Sequence, residues 1–251
     1  MVLILKEKRK KHSPSDVRVG ALKLLSHCFS HVDEDQTATQ LITTLADKFI
    51  EILGLRVLMP IFLRPSSIIG HVSGSRRRKQ AALIDQIEEH ALVIISSLLK
   101  FTSRAELRDR ILNKFTEQNF VKTERLVELH LKYLERLKQF DDRKKTSDQE
   151  NVEQRFLLRL NEGGLFILQL VDQIIVMISS CRWESSQPSS STSSAEYSIK
   201  QRIHRLLNMH SNTQLDHVQV IKSIVNEYVD EKNDQNNRTQ DEYLLKCTQS
   251  F

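Results

Sequence analysis

The chain has 251 residues, 39% of them hydrophobic and 27% charged, with a formal net charge of +5. That length and apolar content support a sizeable core, and a charge excess this small, spread this widely, does not by itself make a nucleic-acid binder. Six glycines, four prolines and 6% aromatics, set against abundant Leu, Ile, Lys, Glu and Gln, point to helices and away from a sheet.

The apolar start, Val2 to Leu5, meets Lys6 at once and is too short for the h-region of a secretory signal. It reads as the tail of a helix with no earlier partner in this chain, so an uncapped apolar end is expected to associate, a homodimer being the simplest product. The basic run Lys6, Lys8, Arg9, Lys10 and Lys11 follows. Ser13 and Pro14 then have the chemistry of a helix cap and first helical position. Val17, Ala21, Leu24, Leu25 and Cys28 give a first buried stripe at helical spacing.

A second helix from about Thr37 places Leu41, Leu45, Phe49 and Ile52 on one face and stops at Gly54. Leu55, Val57, Leu58, Ile61 and Phe62 open the next apolar segment. Residues 64–78, with Pro65, Gly70 and Gly74, read as a loop ending in Arg76, Arg77, Arg78 and Lys79. A long helix follows, striped by Ile84, Ile87, Ala91, Ile94, Ile95 and Leu98. Ser103 and Glu106 have the spacing of a capping box, ahead of Leu107, Ile111, Leu112 and Phe115.

From about Phe120 to Phe140 two apolar stripes run side by side, Leu126, Leu129, Tyr133, Leu137 and Phe140 beside Val127, Leu131 and Leu134, which predicts packing on two neighbours. Residues 141–150 form a charged linker. The next stretch, 155–181, carries the organising feature: a helical run ends at Asn161 and Glu162, Gly163 and Gly164 supply left-handed geometry, and a strongly apolar run begins at Leu165. Between Leu165 and Ile178 only Gln169, Asp172 and Gln173 are polar, which predicts a core helix covered on several sides. A membrane span would put the Asp172 carboxylate near the hydrocarbon midplane at roughly 2.5 to 3.5 kcal/mol, so the core reading is preferred.

This corner echoes the earlier one, Leu55 matching Leu165, Val57 Ile167, Leu58 Leu168 and Ile61 Val171. Such corners are what stacked helical repeats require. Residues 185–194 are nearly all Ser and are expected to be disordered. Two helices follow, striped by Ile199, Ile203, Leu206 and Leu207, and by Val218, Ile221, Val225, Tyr228 and Val229, before a short segment through Tyr243, Leu244 and Leu245. About ten helices with short connections suit an all-α solenoid without a sheet.

Catalysis has little support. His27, Cys28 and His31 could supply three zinc ligands, but no fourth at matching spacing follows, so no metal is expected. Residues 70–75 lack the Lys and spacing of a phosphate-cradling loop. His130, imagined as a general base with Glu128 or Asp172, has no pocket implied by periodicity, and an exposed or groove-facing state is expected. No nucleophile motif appears, and no cofactor is implied. Lys8, Arg9, Lys10, Lys11, Arg76, Arg77, Arg78 and Lys79 have the composition of localisation signals or phosphate contacts, without the interleaved aromatics that stack on single-stranded bases.

Five segments carry a resemblance: Asp-Lys-Phe-Ile-Glu-Ile-Leu-Gly-Leu-Arg-Val-Leu-Met-Pro-Ile-Phe at 47–62, Leu-Asn-Lys-Phe-Thr-Glu at 112–117, Arg-Leu-Val-Glu-Leu-His-Leu-Lys-Tyr-Leu at 125–134, Glu-Gly-Gly-Leu-Phe-Ile-Leu-Gln at 162–169 and Gln-Arg-Ile-His-Arg-Leu-Leu-Asn-Met at 201–209. In order, they resemble the C-terminal portion of the β-catenin-like protein 1 family. The resemblance implies an armadillo/HEAT-like right-handed superhelix in a nuclear, spliceosome-associated protein that works by binding, without catalysis, including to basic localisation-type segments of splicing partners.

The family carries further repeats and a basic region upstream, so the groove here is expected to be incomplete, and the Ser-rich tract reads as a divergent insertion. The implied layout is armadillo-like repeats over 1–183, a disordered loop over 184–195, and C-terminal repeats and tail over 196–251 continuing the same solenoid. Candidate carboxylates for a basic partner are Glu124, Glu128, Glu135 and Asp172. The competing reading is a helical-repeat protein binding RNA directly through the two basic runs, which a salt titration would separate.

Overall fold

A computed structural model describes residues 15–30, 36–69, 77–144, 152–180, 198–210, 216–233 and 238–251. All strands are absent among them, as an all-α chain requires. Several sequence expectations lie outside the described residues: the Val2 to Leu5 segment, the basic run through Lys11, the cap at Ser13 and Pro14, His31, residues 70–75 with Arg76, residues 145–150, and the Ser-rich tract at 185–194.

The chain divides into two compact units, Met1–Lys114 and Phe115–Phe251. In the first, α1 (Ser15–Ser30), α2 (Gln36–Glu51), α3 (Leu55–Leu63) and a 3-10 turn (Pro65–Ile68) surround α4 (Arg77–Phe101). Ile87, Ala91, Leu92, Ile94, Ile95 and Leu98 are fully buried along α4. The residues 64–78 expected to be loop therefore hold a turn that buries Pro65 and Ile68, and Arg77 already begins α4.

Both opening helices turn differently from their predicted stripes. On α1 the core takes Ala21, Leu22, Leu25 and Phe29, while Val17, Cys28 and Leu24 (54% exposed) face outward. On α2 it takes Ile42, Ala46, Phe49 and Ile50, leaving Leu41 69% exposed and Ile52 outside as well. Each helix is apolar on two sides, and spacing alone cannot say which side wins.

The first corner is also made differently. Leu53, not Gly54, is left-handed (φ 63°). Gly54 is helical (φ −57°, ψ −34°), and is required by closeness: a Cβ there would stand 2.6 Å from the Phe49 ring and carbonyl oxygen. At the start of α5 (Ala105–Lys144) the capping box gives way to a tertiary contact. Ser103 donates from its amide to Asp47 Oδ1 (3.2 Å) and from its hydroxyl to Asp47 Oδ2 (2.7 Å), beside an Arg104–Glu51 ion pair.

The helix α5 is interrupted at residues 117–120: Glu117 is extended, and Gln118, Asn119 and Phe120 are left-handed with φ of 57°, 58° and 65°. In the second unit it continues through Lys144, so residues 141–144 are helix rather than linker. There α6 (Val152–Asn161), α8 (Ile199–His210), α9 (His217–Asn233) and α10 (Arg238–Ser250) pack on α7 (Leu165–Ser180). From Leu165 to Ile178 every residue of α7 except Phe166 is buried. No single described helix is long and apolar enough to cross a membrane, and α6 meets α7 at a 68° bend. That bend uses Gly164 at φ +79°, the left-handed residue the sequence called for. Leu55, Val57, Leu58 and Ile61 are buried, as are their counterparts Leu165, Ile167, Leu168 and Val171.

Candidate functional site

Asp172 is the lone charged residue of α7, and it lies fully buried. Burial at that cost demands a partner, and α5 provides it: His130 Nδ1 stands 2.6 Å from Asp172 Oδ1. On its other side His130 Nε2 is 3.4 Å from Nδ1 of His217, the first residue of α9, with the rings 5.5 Å apart and nearly perpendicular. His130 and His217 are buried too. Three helices of the second unit thus meet at one carboxylate and two imidazoles.

Burial pushes the Asp172 carboxyl above the usual carboxylate range, opposed by the charge and hydrogen bond of His130. Burial likewise holds His217 below the ordinary histidine value, reinforced by the charges of His130, Lys138 and His210 and opposed by Asp216. Asp216 also caps α9, its Oδ1 accepting from the amides of Val218 (3.0 Å) and Gln219 (3.4 Å). Sealed from solvent, the trio meets no substrate. It can hold, share or shed a proton, and it binds the helices together.

These positions correct two expectations. Asp172 is not a surface acid for a partner, because it is interior and bonded to His130. His130 is not exposed or groove-facing; the same carboxylate takes it into the core. His217 had no sequence signal, since a contact between residues 87 apart leaves no local pattern.

The remaining candidate acids lie on α5. Steps of four and seven residues set Glu124, Glu128 and Glu135 within about 40° of one face over roughly 16 Å. Glu124 is ion-paired with Arg202 of α8, which sequence reasoning missed. Glu128 is well exposed and meets Arg125 at 3.1 Å, and Glu135 accepts from Gln139 at 2.8 Å. Near the end of α5, Lys138, Asp141, Asp142, Arg155, Phe156, Arg159 and Glu227 line a cleft of about 700 Å³, across which Arg159 reaches Asp141 (3.2 Å) and Glu227 (3.6 Å). Arg77, Arg78 and Lys79 supply the backbone of the first turn of α4.

In the first unit a second imidazole contact joins Ser26 Oγ to His90 Nδ1 at 2.9 Å. The Ser26 hydroxyl donates to Lys23 O (2.8 Å), so it accepts from His90 and is not activated as a nucleophile. His27 lies beside His90, with ring centroids 6.5 Å apart. Among the described residues no three His, Cys, Asp or Glu side chains converge as metal ligands.

A family described as catenin-beta-like, Arm-motif containing nuclear, matches residues 1–225 through its family model. Beta-catenin-like protein 1 of Mus musculus, of Bos taurus and of Homo sapiens are each 31% identical over 241 residues, 92% of this chain. The match takes in 36% of each relative, so the chain spans about a third of the length of these curated relatives. A family match over residues 1–225, upon an all-helical framework whose two Gly-Leu corners bury equivalent positions, settles the membership: the chain belongs to the catenin-beta-like family of Arm-motif containing nuclear proteins.

Proposed function

We propose that the chain is a non-enzymatic nuclear adaptor of the pre-mRNA splicing machinery, binding basic localisation-type segments of splicing-factor proteins. Membership in an Arm-motif family described as nuclear carries this reading. The aligned carboxylates Glu124, Glu128 and Glu135 support it, because a row of acids on one helix face suits an extended basic chain and speeds its encounter. Glu124 enters such a contact only by exchanging Arg202 for a partner cation. Glu128, whose pair with Arg125 is far more exposed and so easier to exchange, and Glu135 do most of the gripping.

The test is capture of a fluorescent Lys/Arg-rich peptide by the full chain, with Glu128 and Glu135 both reversed to Lys. Binding is expected to weaken at least tenfold in the reversed form, while unchanged affinity would remove the α5 face from the reading. Affinity-tagged chain should retrieve splicing factors from nuclear extract after nuclease treatment. If retrieval instead vanishes with nuclease, and RNA binding falls steeply with log salt, the direct RNA-binding reading takes over.

A further inference from the structure

We propose that the Asp172–His130–His217 contact is an acid-released latch, holding the start of α9 to α5 and α7 near neutral pH and letting it go as protons are added. The geometry limits how many protons the contacts can hold. A short contact (2.6 Å) and a longer one (3.4 Å) join the three groups, and each has room for one hydrogen. Asp172 Oδ1 accepts from His130 Nδ1–H, and one hydrogen fills the gap between His130 Nε2 and His217 Nδ1. When both imidazoles become cationic, two N–H groups face each other 3.4 Å apart, and one carboxylate is left to balance two charges. Contact then turns to repulsion.

The position of His217 sharpens the effect. As the first residue of α9 it sits at the positive end of the helix dipole, where a cation is disfavoured. The groups around it on every packed element are consistent with this. From α5 come His130 and Lys138, from α7 Asp172, from α8 His210, and from α9 itself the capping Asp216. On α6, Arg159 is held by Asp141 and Glu227. On α10, Leu244, Cys247 and Thr248 are the inward residues. A second imidazolium in the docked trio therefore meets Lys138 and His210 with only Asp172 and Asp216 in opposition. Once released, His217 loses the burial that held it down and returns towards the ordinary histidine value.

The experiment uses the full chain, combining imidazole 15N NMR titration with amide exchange, converted to opening constants after correction for intrinsic pH dependence. His217 is expected to stay neutral well below pH ~6.5, and the opening constant of the first turns of α9 to rise up to about tenfold per pH unit below that point. His217→Asn keeps a side-chain donor for His130 and can turn its oxygen to accept, so the acid response should flatten to within about twofold. If that variant does not fold at neutral pH by circular dichroism, the wild-type titration decides alone. Ordinary titration of His217 without increased α9 opening, or a folded His217→Asn chain keeping the full acid response, would overturn the latch.

Discussion

Gly164 is packed closely against the ring of Tyr133: a Cβ added there would stand 2.9 Å from Tyr133 Cδ1, on a backbone already held at φ +79°. The corner between α6 and α7 thus combines a conformational requirement with a steric one. Gly164→Ala is expected to destabilise the fold by about 2 to 3 kcal/mol, the left-handed cost plus displacement of a buried ring. Urea unfolding would measure it. Adding Tyr133→Leu should relieve the clash but not the backbone strain, recovering only part of the loss relative to Tyr133→Leu alone.

Removing one partner of the buried pair should be costly. Asp172→Ala leaves the Nδ1–H of His130 without an acceptor in the core, and about 3 kcal/mol of stability is expected to go. Asp172→Asn retains an oxygen for that donor and should cost less than half as much. Equal losses in chemical unfolding would mean that the carboxylate charge, rather than volume or an oxygen acceptor, is what counts at this position.

The break in α5 is open to improvement. Gln118 is exposed and left-handed at φ 57°, a conformation that glycine enters without steric penalty. Gln118→Gly should raise stability by about 0.5 kcal/mol, the relief of left-handed strain exceeding the extra unfolded-state entropy of glycine. Gln118→Val, β-branched, should lower it. A higher thermal midpoint for Val than for Gly would contradict the observed geometry.

The first unit should show its own acid sensitivity. Burial, then the charges of His27 and Lys23, hold His90 down at about 4 against an ordinary 6.5. A depressed imidazole contributes stability that is complete above the unfolded value and declines as pH falls from about 6.5 towards about 4, since only the unfolded chain takes up the proton in that window. Thermal midpoints across this range should therefore drop less in His90→Asn than in the parent chain. Identical slopes would remove His90 as the source.

The α6–α7 corner, the burial of α7 and the matched burial of the residues that follow the two Gly-Leu corners were legible in the sequence, because local turn chemistry and unbroken apolar runs signal them directly, although the first corner turns on Leu53 and not on Gly54. The main inward stripe of α4 was legible too, although the helix is covered on further sides, with Leu92 and Leu99 buried beyond that stripe. In α1 and α2 the reading was right for Ala21, Leu25 and Phe49 and wrong for Val17, Leu24, Leu41 and Ile52, since Leu24 and Leu25, or Leu41 and Ile42, compete for the core at almost equal apolar content. Ser103 gives both its amide and its hydroxyl hydrogen to Asp47, a tertiary carboxylate that takes the place of Glu106 as acceptor for the amide. The candidate site was half legible. Asp172 and His130 could be named and even paired on paper, but charge alone argued for the surface, and His217 depended on the folded chain.

A helix as uniformly greasy as α7 has little to tell it where to stop sliding: moved by one turn, about 5.4 Å, it would still present Leu, Ile and Val to its neighbours. Its one carboxylate removes that freedom, because at any other setting Asp172 would be stranded in hydrocarbon beyond the reach of His130. The single ionisable group of the greasiest rod acts as its alignment pin, choosing one register from several that oil alone would accept.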